Sequence, residues 1–542
     1  MSKHWRHGMP ASLAMTALTV VLLSAAALPS RAWSQDSSAT ARAASAASKT
    51  SNDRGDRAPD ETAALPDATN NIDISGPQLP HPLDAINADR YREIFRAQAR
   101  GNYTAADNVV SELTDQSLMG NVLANRYLSR DYKSSAKELS DWLKHYSSLP
   151  DAPAVYALAQ RKGAIKLTKP IASTVVRMGS PDESVVDTNA NWQAGLAAWR
   201  NRDYRTAAAR FADAYEKGED PWNKSAAAYW VGRSYLRAKQ PAKVSAWLVK
   251  AAKQPRTFYG QLAIRALGAE NTFDWRSPSF NDRYARAVLA TRGGKRALAL
   301  LQVGQVNQAE KELLVLQQNA DDTLAEALLS LSQAARMPSL ALRIGANTRM
   351  KEGKIISAAL YPLPSWRPSD GFDVDRALLY AIMRQESGFN PDAVNSSSGA
   401  AGLMQLMPST AKLVAGSRAA NIKDPIVSME IGQRYINQLT ADDNVGNNLL
   451  KMVIAYNAGP GNLAKWFKAT NAEKDPLLFV ETLPSSESRL FVERVVAAYW
   501  IYRQRLGQDA TSIDAIASGE WPKYHRQDVA KAMPDKRKQS IN

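Results

Sequence analysis

The sequence predicts an all-α protein in which a helical superhelix precedes a second helical domain. Between residues 82 and 359, apolar residues recur at three- and four-residue spacing, which is typical of amphipathic helices. Part of this region repeats after 37 residues, a period typical of stacked helix pairs. The proline-rich segment 361–368 then interrupts the pattern, because proline removes an amide donor and restricts the residue before it. We therefore place a domain boundary there.

The amino-acid composition excludes several kinds of catalytic site. The chain of 542 residues has no cysteine, and its five histidines leave no imidazole between Tyr146 and Tyr524. Disulfide scaffolds and cysteine-ligated metals are excluded, and so is a Ser-His-Asp triad or a histidine-bound zinc within that stretch. The glycine-rich fingerprints of nucleotide sites are also missing. We expect no metal and no cofactor, so that any catalysis depends on carboxylates.

The chain is basic, with a formal net charge of +15. Such a balance favours anionic partners, which include nucleic acid, anionic lipid and a cell-wall polymer that bears peptide carboxylates. Charge alone does not choose among them, and a basic surface that serves only solubility is the alternative. Because no aromatic-basic motif accompanies the charge, we expect no nucleic-acid partner.

The first 32 residues have the pattern of a secretory signal peptide. Basic residues precede an apolar stretch over residues 13–28, and the small residues Ser30 and Ala32 follow it. An uncleaved anchor helix is the alternative, but the short apolar stretch favours cleavage. We therefore predict export, and no stable membrane span once residues 1–32 are removed.

Two other segments are predicted to lie outside the folded domains. Residues 33–80 are rich in small and polar residues and have few large apolar ones, so we predict a disordered linker. Residues 511–542 form a predicted basic tail, and we expect the chain to be solvated from about Gln508 onward.

Residues 81–360 form the predicted superhelix of tetratricopeptide-like helix pairs. Its internal repeat matches four small or apolar residues with four others 37 positions later: Gly195, Ala207, Phe211 and Ala214 with Gly232, Val244, Leu248 and Ala251. The concave faces of helical-repeat stacks are binding surfaces, so protein partners are one option for this region.

The second domain, residues 361–510, begins with a helix that carries a candidate catalytic glutamate. Asp373 is a candidate N-cap residue, and Leu378 and Ile382 belong to the apolar stripe that follows. Glu386 lies on the same stripe, in the last turn of the helix. Burial and the negative helix end both disfavour the ionised form and are expected to raise the pKa of this carboxyl, so that it can donate a proton. A structural glutamate bound to an amide or an arginine is the alternative.

Four motifs that begin at Glu386 follow one another in a specific order. They are Glu386-Ser-Gly-Phe, Gly399-Ala-Ala-Gly-Leu-Met-Gln-Leu-Met-Pro, Ala455-Tyr-Asn-Ala-Gly-Pro-Gly and Glu481-Thr-Leu-Pro-Ser-Ser-Glu-Ser-Arg-Leu-Phe. Together they resemble the catalytic domain of soluble lytic murein transglycosylases, over about residues 368–506. The resemblance implies a lysozyme-like, all-helical domain that cleaves peptidoglycan glycan strands in the periplasm.

The resemblance also implies roles for single residues. Glu386 is implied to be the sole acid/base, which protonates the glycosidic oxygen between N-acetylmuramic acid and N-acetylglucosamine. The muramyl C6 hydroxyl then attacks C1, and a 1,6-anhydro product leaves without water. The implied substrate-binding residues are Gln405, Met407, Tyr456, Asn457 and Glu487. Ser387 is either a support for the helix end or a ligand contact.

Two departures from the family pattern and two alternative functions stay open. The loop Asn395-Ser-Ser-Ser is one residue longer than is usual in the family, and Phe491 stands where the family usually carries tyrosine. A hydrolytic muramidase on the same fold is one alternative, with Asp392, Glu481 or Glu487 as a second carboxylate. The other is a solenoid scaffold that binds cell-wall polymer or protein partners without catalysis.

Overall fold

The computed structural model describes residues 79–171, 190–347, 356–470 and 474–528. These ranges contain 24 α-helices and no β-strand, which confirms the all-α prediction. The predicted signal peptide and the predicted linker up to residue 78 lie outside the described residues, as do residues 529–542 of the predicted tail. Within the described ranges, none of the helices is both long enough and apolar enough to cross a membrane.

The superhelix begins with five short helices. They are α1 (Ala85–Ala99), α2 (Tyr103–Val110), α3 (Met119–Tyr127), α4 (Ala136–Tyr146) and α5 (Ala152–Arg161). Side-chain caps define three of their starts, those of α1, α2 and α4, and Asn102 is the capping residue of α2. The Asp84 carboxylate accepts the Asn87 amide at 2.8 Å, and Ser135 and Glu138 form a capping box at α4.

The 37-residue repeat corresponds to two successive helix pairs. The helices here are α6 (Ala190–Arg200), α7 (Tyr204–Lys217), α8 (Pro221–Arg237), α9 (Val244–Ala252) and α10 (Phe258–Ala266). Gly195 on α6 faces Phe211 on α7, and a Cβ on this glycine would lie 2.6 Å from the ring. Gly232 on α8 faces Leu248 on α9, and a Cβ there would lie 3.3 Å from the leucine. The matched glycines therefore let the helices of each pair approach closely, as the repeat predicts.

Six further helices complete the region before the proline-rich boundary. They are α11 (Asp282–Leu289), α12 (Arg292–Gln302), α13 (Val306–Gln317), α14 (Asp322–Ala334), α15 (Pro338–Asn347) and α16 (Ser357–Leu360). Most of their buried apolar residues form one cluster with those of α1–α3, whereas Leu342 and Leu360 belong to the core that includes the C-terminal domain. The Leu83 amide donates to Oε1 of Gln302 at 3.0 Å, across 219 residues of sequence. The first helices are thereby fixed to the last part of the superhelix.

The C-terminal domain is built around one long helix. Its helices are α17 (Arg376–Glu386), α18 (Pro408–Ala415), α19 (Pro425–Thr440), α20 (Leu449–Ala458), α21 (Pro460–Thr470), α22 (Pro476–Glu481), α23 (Ser486–Arg505) and α24 (Thr511–Ser518). Helix α23 packs against α17 and α20. It also reaches the superhelix, because Trp500 stacks on Phe258 of α10 with ring centroids 5.2 Å apart. One apolar core therefore runs from α6–α10 into the C-terminal domain.

Helix α17 starts differently from the prediction. Asp375, and not Asp373, occupies the N-cap position, and its side chain makes no capping hydrogen bond. The fully buried Asp375 carboxylate instead pairs with Arg503 of α23 and accepts the backbone amides of Gln527 and Asp528 at 2.6 and 2.8 Å. The Asp373 prediction is wrong because a long-range ion pair, and not a local cap, fixes the start of this helix.

Residues 508–528 pack onto the C-terminal domain. The indole of Trp521 contacts Phe467 and Phe479, with ring centroids 5.7 Å apart in both cases. Asp528 accepts a hydrogen bond from the Arg376 guanidinium at 2.9 Å. This part of the chain therefore differs from the solvated tail expected from Gln508 onward, because a few widely spaced side chains anchor an otherwise polar segment.

Candidate active site

Glu386 is the last residue of α17, and it lines a cavity of about 770 Å³. The helix ends there because the next residues turn sharply: Gly388 and Phe389 have φ values of +56° and +64°. The Phe389 side chain is fully buried, which anchors this turn. The Ser387 hydroxyl lies within hydrogen-bond distance of the Met383 carbonyl, at 3.1 Å, and of the Leu403 carbonyl, at 2.9 Å. Ser387 therefore supports the helix end and joins it to the second motif.

The electrostatic environment favours the neutral form of Glu386. Burial raises the pKa of its carboxyl to about 8, and the negative charge of Glu487 contributes in the same direction. The carboxyl therefore keeps its proton at neutral pH, which a general acid requires. The raised pKa agrees with the expectation from the position of Glu386 on the apolar stripe.

The second motif forms a tight loop beside Glu386. Gly402 has φ of +79°, and a Cβ at this position would lie 2.2 Å from the Ile422 carbonyl oxygen, so that only glycine fits. Gln405 has φ of +45° and lines the same cavity as Glu386. Its side-chain amide donates to the carbonyls of Ala393 and Gly402 at 3.0 and 2.9 Å. Met407 precedes α18 at the N-cap position and does not line this cavity.

Tyr456 and Asn457 lie at the end of α20 and connect the motifs. The buried Tyr456 hydroxyl donates to the Met404 carbonyl of the second motif at 2.7 Å. Burial raises the pKa of Tyr456 well above its ordinary value, and the negative charge of an ionised Glu386 raises it further. The two side chains therefore interact electrostatically. Oδ1 of Asn457 accepts a hydrogen bond from the Ser488 hydroxyl at 2.6 Å. Tyr456 therefore connects the third motif to the second, and Asn457 connects the third motif to the fourth.

Phe491 takes part in the same packing without a hydroxyl. Its ring is buried and parallel to that of Tyr456, with an interplanar angle of 2° and centroids 6.3 Å apart. The ring therefore keeps Tyr456 in place by apolar contact.

The other carboxylates near the motifs have different environments. Glu487 is exposed in the first turn of α23. Glu481 is buried, where it accepts hydrogen bonds from the Tyr259 hydroxyl of α10 and from the Arg489 guanidinium. Asp392 lines the Glu386 cavity and accepts a hydrogen bond from the Asn307 side chain. Glu481 is therefore a structural residue between the superhelix and α23, which removes it from the candidates for activating a water molecule.

The superhelix contributes one part of the cavity wall. Leu342, Arg343 and Ala346 of α15 line the cavity together with Glu386. A Cβ on Gly388 would lie 3.7 Å from Leu342, so α15 packs directly against the turn after the glutamate. Sequence analysis missed these residues because nothing in the local pattern of α15 distinguishes them from other superhelical positions.

Comparisons with known proteins agree with the fold and the motifs. Residues 367–479 match the model of the transglycosylase SLT domain. The soluble lytic murein transglycosylase of Escherichia coli K12 is 35% identical over 162 residues, which cover 29% of this chain and 24% of the relative. That of Salmonella typhimurium is 27% identical over 316 residues, which cover 57% of this chain and 47% of the relative. The chain thus spans from about a quarter to half of the length of these relatives.

A solved structure shows the same fold. The crystal structure of the 70 kDa soluble lytic transglycosylase from Escherichia coli superposes with a TM-score of 0.51 at 21% identity, over 81% of this chain and 74% of that chain. The fold and motifs thus define a protein with a transglycosylase SLT domain, at residues 367–479. The resemblance to soluble lytic murein transglycosylases is confirmed by these relatives.

Proposed function

We propose that the protein is a peptidoglycan lytic transglycosylase with Glu386 as its single acid/base. The observation that carries this proposal is a glutamic acid with a pKa of about 8 in a cavity of about 770 Å³, within a transglycosylase SLT domain. Its substrate is the peptidoglycan glycan strand, and the β-1,4 bond between N-acetylmuramic acid and N-acetylglucosamine is cleaved. The predicted signal peptide implies that the reaction takes place in the periplasm.

One carboxyl group is sufficient for the complete reaction. Neutral Glu386 gives its proton to the glycosidic oxygen, the bond from muramyl C1 to that oxygen breaks, and the N-acetylglucosamine hydroxyl leaves. The Glu386 carboxylate then removes the proton from the muramyl C6 hydroxyl, whose oxygen bonds to C1. The product is a 1,6-anhydromuramyl end, water is not consumed, and the glutamic acid is restored.

The binding residues have supporting roles in this proposal. Tyr456 and Asn457 bind the second and fourth motifs to the third through hydrogen bonds. In this proposal the same two residues also orient the acetamido group of a sugar. Gln405 contributes to the second-motif side of the cavity, Met407 contacts the substrate outside this cavity from the N-cap of α18, and Glu487 acts on the Glu386 carboxyl through its charge.

A hydrolytic muramidase is the second candidate, and one observation favours it. Glu487 is an exposed carboxylate close enough to Glu386 to raise its pKa. An inverting glycosidase uses such a second carboxylate to activate water. The two functions differ in their products, because hydrolysis leaves a reducing muramyl end.

Mass spectrometry of the products from purified peptidoglycan tests this proposal. We expect anhydromuramyl products from the wild type, and we expect Glu386→Gln to lower the rate by a factor on the order of 100 to 10,000, since the proton donor is removed. Glu326→Gln is a matched control, because it makes the same change in the superhelix, where Glu326 accepts a hydrogen bond from the Tyr284 hydroxyl. Reducing-end products would establish the muramidase, and full activity of Glu386→Gln would refute the acid/base assignment.

A further inference from the structure

The superhelix contacts the fourth motif through a buried tyrosine, Tyr259 of α10. Its hydroxyl donates to the Glu481 carboxylate at the end of α22. We propose that Tyr259 is a positioning residue for the cleavage reaction, because it fixes the start of α23 through Glu481. That start carries Glu487 and Ser488. The inference rests on the proposed function, and it makes the superhelix a part of the catalytic unit.

Helix α10 is a fixed support for this contact. The buried Phe258 ring stacks on Trp500 of α23, with centroids 5.2 Å apart. The buried Gln261 side chain donates to the Ala497 carbonyl of the same helix at 3.0 Å. Because Tyr259 lies between Phe258 and Gln261 along α10, its hydroxyl is held in a defined place relative to α23.

The Glu481 carboxylate connects Tyr259 to the start of α23. Its Oε1 accepts the hydrogen bond from Tyr259, and its Oε2 accepts one from the Arg489 guanidinium at 3.2 Å. The side chains of Arg489 and Glu481 are only 8% and 1% exposed, so water screens this ion pair little. Charge-assisted hydrogen bonds of this kind are short-range and directional. They therefore determine where the first turns of α23 lie relative to α22.

The start of α23 acts on the site in two ways. The Ser488 hydroxyl donates to Oδ1 of Asn457 at 2.6 Å, which fixes the orientation of that side-chain amide. The negative charge of Glu487 raises the pKa of Glu386. Both effects depend on distance, so that a small displacement of the first turn of α23 changes them together.

The protonation states of the contact are defined over the pH range that matters. Burial raises the pKa of the Tyr259 hydroxyl well above its ordinary value, and the charge of Glu481 raises it further, so the hydroxyl remains a donor. Burial, and after it the charge of Glu481, raises the pKa of Glu493 on α23 to about 8. The other charges that act on Glu493 are those of Arg489, Arg494 and Asp220. Because Glu493 titrates in the same range as Glu386, the test has to separate the two.

Steady-state kinetics with a soluble tetrasaccharide of alternating N-acetylglucosamine and N-acetylmuramic acid provide the test. Tyr259→Phe removes the hydroxyl and keeps the ring. We expect kcat to fall by a factor on the order of 10 to 100 with KM unchanged, since the reacting groups are displaced. The alkaline limb of the kcat/KM profile should move to lower pH, because Glu487 is no longer held in place beside Glu386.

Glu487→Gln identifies the route of this effect. In the Glu487→Gln background, Tyr259→Phe should not shift the alkaline limb further, since the charge that it displaces is absent. A shift that persists in this background would arise from another titrating group, such as Glu493, and would overturn the proposal.

Tyr284→Phe is the matched control. The Tyr284 hydroxyl donates to Glu326 at 2.9 Å, which is the same kind of contact inside the superhelix. Its kcat and its alkaline limb should equal those of the wild type. Hydrogen–deuterium exchange of the amides of residues 486–492 adds a readout without turnover, and it should be faster in Tyr259→Phe but not in Tyr284→Phe.

Two results would overturn the proposal. Faster exchange together with wild-type kinetics in Tyr259→Phe would make Tyr259 a structural residue, and wild-type exchange in this variant would show that its hydroxyl does not hold α23. Absence of glycan cleavage by the wild type would refute the proposed function separately, since the exchange measurement does not depend on cleavage.

Discussion

The helix pairs α6–α9 and the C-terminal domain share one core, but different interactions hold them together. In the helix pairs, aromatic rings and glycines pack against one another. The ring centroids of Trp192 and Phe211 are 5.1 Å apart, and those of Phe211 and Trp230 are 5.5 Å apart. In the C-terminal domain, buried ion pairs such as Asp375 with Arg503 cross between distant segments.

This difference has a functional reason. A proton donor at neutral pH needs a carboxyl whose charged form is disfavoured, and burial near other charges provides that. The C-terminal domain contains such an environment at Glu386, whereas α6–α9 have only to provide a rigid, apolar support. Of the two regions, the one to which we assign the chemistry is therefore the one that buries charged side chains, whereas the buried polar residues of α6–α9 are Ser225 and Ser234.

The largest effect on stability is expected in the C-terminal domain. Asp375→Asn leaves the Arg503 guanidinium buried without its counter-charge, which costs about 3–5 kcal/mol of unfolding free energy. Denaturant unfolding followed by tryptophan fluorescence measures this loss. Asp514→Asn is the control, because its ion pair with Arg265 is exposed and contributes at most about 1 kcal/mol. If both variants lost the same free energy of unfolding, burial of the ion pair would not determine its contribution to stability.

A smaller effect is expected in the helix pairs, where the repeat itself supplies a matched comparison. Gly195→Ala places a methyl group 2.6 Å from the Phe211 ring, and overpacking of this kind costs about 1–3 kcal/mol. In Gly232→Ala the new methyl group lies 3.3 Å from the flexible end of the Leu248 side chain. The higher helix propensity of alanine stabilises this variant by about 1 kcal/mol. Thermal unfolding should therefore show a lower Tm for Gly195→Ala than for Gly232→Ala, and the reverse order would contradict the close packing at Gly195.

The smallest expected effect is a shift in pH dependence. The Glu487 charge raises the pKa of Glu386, so Glu487→Gln should lower that pKa from about 8. Activity needs protonated Glu386, and the alkaline limb of the kcat/KM profile should therefore move to lower pH. Glu520→Gln is the control, since Glu520 is not among the charges that shift this pKa. If the alkaline limb of Glu487→Gln stayed at the wild-type pH, burial alone would set the pKa of Glu386.

Several features of the site followed from local sequence. The stripe through Leu378 and Ile382 predicted both the helix and the position of Glu386 at its end, where the residue is half-buried. The Ala455-Tyr-Asn-Ala-Gly-Pro-Gly motif predicted the end of α20. These features depend on residues within a few turns of one another, so their spacing along the chain carries the information.

Other features depended on contacts between distant parts of the chain. Tyr259 and Glu481 are 222 residues apart, and no local pattern relates them. Arg343 belongs to a superhelical helix that, judged from its own sequence, has no connection to catalysis. The N-cap prediction at Asp373 failed for the same reason, because the partner of Asp375 lies 128 residues further along.

The sequence by itself determined the helical class, the 37-residue helix pairs, the order of the four motifs and the candidate acid, because each rests on periodicity or on short runs of residues. Only the tertiary structure decided which charges are buried, which carboxylates are structural and which part of the superhelix lines the cavity. Desolvation and ion pairing depend on distance in space, and a linear pattern does not contain those distances.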